Sequence, residues 1–162
     1  MKSGFFYRFE YLSPDGDVLD EQIAHNLIPD QGVTYMLNAS VLGGSQFSSW
    51  YCGLFEGAYA PQSSDTATTF PGLSTEITAY SETTRQLIVP DAIAGGLYIN
   101  GASPCVFTFT SAKTVRGAFL VSSGVKGGTT GILLSAVLAP SPKIVAIGEM
   151  LRVSKGFSLS SV

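Results

Sequence analysis

The sequence predicts an all-β domain of β-sandwich or jelly-roll type with one short helix near residues 29–41. Three observations carry that expectation. Apolar and polar residues alternate with period two along most of the chain. Eight or nine short strand-like runs follow one another, separated by Gly, Pro and Asn. Only one segment carries apolar residues at helical spacing. Many short strands at close spacing suit a closed two-sheet architecture. At 162 residues the chain has the length of one domain, spanning 1–162, with a hydrophobic core large enough to need no disulfide.

The first strand places Phe5, Tyr7, Phe9 and Tyr11 on one parity and Arg8 and Glu10 on the other. Pro14-Asp15-Gly16 supplies turn chemistry, and Val18 to Ile23 returns as the second arm of a hairpin. Ile28-Pro29 marks a helix start, because proline pushes its predecessor out of the α region and itself suits the first helical position. Val33, Met36, Leu37 and Val41 form the apolar stripe, Gly43 and Gly44 end the helix, and Gly32 weakens it enough that tertiary packing must hold it.

Ser49 to Phe55 is apolar on both faces (Trp50, Cys52 and Leu54 against Tyr51 and Phe55), which predicts a central, covered strand. Residues 57–72, rich in Ala, Pro, Ser and Thr, read as a long loop. Short strands are expected at Glu76–Tyr80, Arg85–Val89, Leu97–Ile99, Val106–Thr110, Val115–Val121 and Ile132–Leu138, the last two joined by a turn around Gly127-Gly128. The final strand sets Leu151, Val153, Phe157 and Leu159 against Arg152, Ser154, Ser158 and Ser160. Lys155 breaks its apolar parity.

Charged residues make up 13% of the chain, about half the roughly 25% usual in soluble domains. A charge-poor surface suggests one that is partly covered by partners, since interface centres are depleted in charge. The net charge is −3 and the nine Lys and Arg are scattered, so no basic stripe points to nucleic acid. The N-terminal apolar run stops at Arg8 and Glu10, too soon for a signal-peptide core. Ile132–Leu138 is far short of the roughly 20 residues that span a bilayer. A cytoplasmically folded chain is therefore expected, with Cys52 and Cys105 as buried free thiols and no metal site.

Catalytic readings fail at identifiable positions. His25 is the one histidine, with no nucleophile motif beside it. Gly43-Gly44-Ser45-Gln46-Phe47 departs from a nucleophile elbow at Phe47. The Gly124–Gly131 segment lacks the Gly-Lys-Ser/Thr ending of a phosphate loop and precedes a strand. Asp15, Asp17, Asp20 and Glu21 do not match a calcium-loop spacing and read as a solvated turn. Glu56, Glu76 and Glu82 are available as paired carboxylates, but spacing brings no two of them together. A Glu76–Arg85 pair is expected to fix strand register beside Tyr80. Neither a catalytic residue nor a cofactor is expected.

The succession of Asn26-Leu27-Ile28-Pro29 and its helix, Trp50–Phe55, Thr75–Tyr80, Ala102-Ser103-Pro104, Val106–Phe109, Gly117–Leu120 and Gly148–Val153 resembles small virion proteins of tailed bacteriophages. It is most similar to capsid decoration (cement) proteins of sandwich or jelly-roll type, from Asn26 to the end of the chain. In that family small apolar residues are expected where Cys52 and Cys105 stand, and no active-site residue transfers. The resemblance implies a structural virion protein, made in the host cytoplasm, that decorates the capsid surface and bridges major capsid protein subunits. It would assemble as a homo-oligomer at symmetry axes and act without nucleic acid or membrane. Alternatives are a tail, baseplate or fibre component, a carbohydrate-binding module using aromatics such as Trp50, Tyr59 or Tyr98, and, last, a hydrolase. Phe5, Tyr7, Phe157 and Leu159 are the candidate interface residues, because terminal strands with an apolar face often lie at a sheet edge.

Overall fold

The computed structural model describes residues 4–91, 93–95 and 97–158, and Leu159 lies outside the described residues. The aromatic alternation of the first segment forms β1 (Gly4–Leu12), which turns at Gly16 (φ 92°) into β2 (Val18–His25). The later strands are β3 (Tyr51–Phe55), β4 (Glu76–Ile77), β5 (Gln86–Leu87), β6 (Leu97–Ile99), β7 (Cys105–Thr108), β8 (Lys113–Val121), β9 (Leu133–Val145) and β10 (Met150–Ser158). Two helices, α1 (Asp30–Ser40) and α2 (Phe70–Ser74), complete the described elements, and neither is long and apolar enough to cross a membrane.

These strands make an all-β, sandwich-like fold of two antiparallel sheets. The first runs β2-β1-β10, and β6 and β7 then pair end to end along the far edge of β10. The second runs β3-β8-β9, with β4 and β5 sharing the outer edge of β3. Both lateral seams are stitched. Leu27 and Ala136 exchange backbone bonds on one side, while Ser81 N–H donates to Thr108 O and Thr110 N–H to Ala79 O on the other. Closed seams leave few free strand edges.

The core between the sheets is built from the inward parity of β1, β3, β7, β8 and β10. Cross-strand register places Phe5 opposite Phe157, Tyr7 opposite Lys155, Phe9 opposite Val153 and Tyr11 opposite Leu151. A second cluster lies on the outer face of the second sheet, where Phe55, Phe119, Leu133 and Ala136 are covered by Ala67 and Phe70. The segment expected to be a plain loop is thus a packed cover, with α2 as its anchor.

Two expectations are corrected. β1 and β10 are the central strands of their sheet, not its edges. The helix also begins one residue later, at Asp30, and docks by a different face. Gly32 is its point of closest approach: a Cβ there would sit 2.5 Å from Leu134 O. Gln31 Oε1 accepts from Ala67 N and Leu133 N, and Tyr35 and Met36 pack inward. Val33, Leu37 and Val41 of the expected stripe consequently face outward, Leu37 at 56% and Val41 at 72% exposure. Backbone contact at Gly32 decides the rotation, and only Met36 serves both the expected stripe and the observed inward face.

Candidate functional site

At one end of the sandwich the sheets part around a cavity of about 350 Å³. Its walls come from Phe5 of β1, Trp50 and Ser48 just before β3, Ile88, Pro90 and Ile93, Tyr98 of β6, Leu134 of β9, and Lys155 and Phe157 of β10. Period-two geometry explains how a lysine comes to face it. Lys155 sits on the inward parity between Val153 and Phe157, so its side chain leaves the strand toward the core. Only 2% of the residue is exposed.

The backbone of Lys155 is held at a special point of the sheet. β7 pairs with residues 150–153 of β10 and β6 with 156–158, leaving a gap between them. Buried Asn100 fills it. Its Oδ1 accepts from Lys155 N at 2.6 Å, while its own N–H donates to Lys155 O at 3.1 Å. The Asn100 side chain also donates to Ser103 O, so the gap is closed without a ladder residue.

The ammonium has no comparable partners. Lys155 Nζ lies 4.9 Å from the Phe5 ring centroid and 5.2 Å from that of Tyr98, an arrangement of cation over aromatic faces. No carboxylate and no hydrogen-bond acceptor engages Nζ among the described residues. Burial lowers its pKa to about 7, against a smaller opposite pull from the Cys52 and Cys105 thiols. Cys52 and Cys105, brought from opposite sheets, are both free and buried, and the hydrogen bond with Cys105 and then burial raise the Cys52 pKa. Tyr7, opposite Lys155, spends its hydroxyl on Ser135 across the sandwich, and burial raises its pKa.

The other candidates separate. Phe5 and Phe157 stack with centroids 4.5 Å apart in the cavity wall, whereas Tyr7 is fully buried and presents no surface to a partner. The reason is the central position of β1, which turns the aromatic face into the core. Trp50 is half-buried, in edge contact with Tyr35 and Phe47. Trp50 and Tyr98 share the cavity, but Tyr59 lines a different cleft with Arg116 and Pro142.

Each glutamate engages its own partner. Glu56 pairs with Lys113, Glu82 accepts from Thr108, and Glu76 pairs with Arg85 as the sequence led one to expect. His25 is exposed at the end of β2. In the first hairpin, Asp20 pairs with Lys143 and Glu21 with Arg8.

Lys155 is the site residue that the pattern of the final strand marks without assigning it a role. Its signal was a basic residue on the apolar parity of a strand. Neither a family model nor a curated protein matches the chain. The site therefore rests on its own chemistry.

Proposed function

We propose that the protein is a structural component of a bacteriophage particle that packs onto the major capsid protein and stabilises the shell. The observation that carries this reading is an unpartnered apolar surface. Val33 and Leu37 are exposed on the outward face of α1, Val41 follows at its C-cap, and Leu42 (75% exposed) and Phe47 are exposed just beyond it. Exposed large apolar side chains gathered within residues 33–47 of a charge-poor chain suit a protein interface better than solvent. Closed lateral seams give the rigidity a bridging element needs. Binding the assembled lattice and not its separated subunits would then stabilise the shell by mass action.

Quantitative mass spectrometry of purified particles tests the reading. The chain is expected in a copy number comparable to the major capsid protein, and particles carrying Leu37→Glu with Val41→Glu are expected to lose it. A copy number confined to a few per particle would favour the tail, baseplate or fibre alternative. Absence from particles would overturn both.

The pairing of Trp50 with Tyr98 in one cavity gives some support to a ligand-binding module. Ser48 and Lys155 are the hydrophilic side chains among the described lining, too few to satisfy the hydroxyls of a neutral sugar.

A further inference from the structure

We propose that the cavity between the sheets binds a small monocarboxylate with an apolar body, the carboxylate held by Lys155 and the body packed against Trp50, Tyr98 and Phe157. Three observations lead there. The first is the unpaired ammonium: a charge this buried ordinarily has an anion or a set of hydrogen-bond acceptors, whereas among the described residues Nζ meets the Phe5 and Tyr98 faces and the nearby Cys52 and Cys105 thiols, with no ion pair or hydrogen bond. The second is access, because Lys155 lines a cavity and is not sealed within packed core. The third is composition. Apart from Ser48 and Lys155, the described walls are aromatic and aliphatic, so an occupant needs one charged end and an apolar remainder.

The size is consistent. A cavity of about 350 Å³ lies at the lower end of the range of roughly 300–1,000 Å³ usual for small-molecule sites. A doubly charged phosphate would demand more donors than one ammonium supplies. A cationic ligand would meet Nζ as a like charge. A neutral one could at most accept a hydrogen bond from Nζ and would leave its charge without a counter-charge.

Protonation supplies a signature that simple apolar packing lacks. The titratable groups facing Nζ are Cys52 on β3, Cys105 on β7, Tyr98 on β6 and Tyr7 opposite on β1. Burial pushes Tyr98 up to about 12, with smaller upward pushes from Cys105 and Asp91, and raises Tyr7 as well. The Cys52 thiol is raised too. Lys155, near 7, is thus poised to titrate in the neutral range. A carboxylate binds the charged amine, so affinity holds below pH about 7 and falls as the pH rises past it.

The test titrates the full chain with octanoate and 3-phenylpropanoate, and with the alcohols and primary amines of the same skeletons, followed by calorimetry. At about pH 6 at least one carboxylate is expected to bind about tenfold or more tighter than its alcohol and amine, and to weaken by about tenfold or more by about pH 9. Lys155→Met is expected to remove that preference, bringing acid and alcohol to within about threefold of each other. Equal affinity for acid and alcohol, a flat pH profile in the wild type, or no binding by any probe would overturn the proposal. The wild-type ranking and pH series decide the matter even if the variant does not fold.

Discussion

Arg85 and Lys155 are both buried cations, and the fold treats them in opposite ways. Arg85 is fully buried, yet each of its three guanidinium nitrogens donates a hydrogen bond. Nε and Nη2 donate to the two oxygens of Glu76 at 2.8 and 2.6 Å, Nη1 donates to Ser123 O and Nη2 also to Gly128 O. Glu76 in turn accepts from Gly127 N, so one ion pair ties the edge of the second sheet to the hairpin between β8 and β9. Lys155 is almost as buried, and among the described residues its ammonium meets aromatic faces and thiols but no ion pair or hydrogen bond. Burial does not by itself assign a role to a charge; the partners do. A guanidinium with matched acceptors is fixed and architectural, whereas a lysine without them can change its protonation state or accept an anion from outside.

The largest effect is expected on the paired side. Arg85→Met leaves the Glu76 carboxylate and two backbone carbonyls buried without their donor, which costs about 3–5 kcal/mol. Urea denaturation of the variant measures it. A loss below about 1 kcal/mol would mean that the hairpin relaxes or hydrates freely, and the contrast with Lys155 would collapse.

The unpaired side should respond with the opposite sign. Lys155→Met keeps most of the packing volume and removes a charge held at a depressed pKa, so at about pH 6 the variant is expected to be more stable by up to about 4 kcal/mol. The pH course follows from linkage. Below about 7 the lysine is charged in both folded and unfolded chains and the full penalty applies. Between about 7 and its ordinary value of 10.5 the unfolded chain binds more protons, so wild-type stability rises with pH. The gap between variant and wild type therefore narrows by on the order of 2 kcal/mol from about pH 6 to about pH 9. Comparing the two proteins at each pH removes the shared contributions of the buried tyrosines. A constant gap would show that Lys155 does not titrate there.

Much of this was legible in the chain, and the contrast between the two cations shows where legibility stops. The Phe5-Tyr7-Phe9-Tyr11 alternation specified β1, the glycines at 127 and 128 marked the hairpin, and opposite charges on neighbouring runs pointed to Glu76 with Arg85. These are local or pairwise signals. The docking face of α1 was not legible, because it depends on Leu134 O lying against Gly32, a contact across about a hundred residues. Nor was the cover over the second sheet, since Ala67 and Phe70 sit in a segment without periodicity. Lys155 was visible as a break in pattern. Its meaning was not, because a lysine on an apolar parity can also lie at an edge and reach solvent. Only the central place of β10, with walls drawn from β1, β6 and the approach to β3, makes it a site.

The smallest expected effect belongs to a third cation, between the other two in character. Lys126 places Nζ 3.8 Å from the Tyr80 ring centroid, closer than Lys155 comes to either of its rings. It also donates to Tyr80 O at 2.7 Å and Thr78 O at 3.3 Å, and it is only half-buried. Its ammonium thus combines the aromatic face of the Lys155 arrangement with the carbonyl acceptors of the Arg85 one. If acceptors are what separate an architectural cation from a poised one, Lys126→Met should destabilise, by about 0.5–1 kcal/mol, the opposite sign to Lys155→Met. Lys126 also shares its hairpin with Arg85, so the double variant of those two should be less than additive in urea denaturation, whereas Lys126→Met and Lys155→Met should add. A stabilising Lys126→Met would assign the difference to the ring contact and not to the acceptors, and the reading of Lys155 as a cation awaiting an anion would lose its main support.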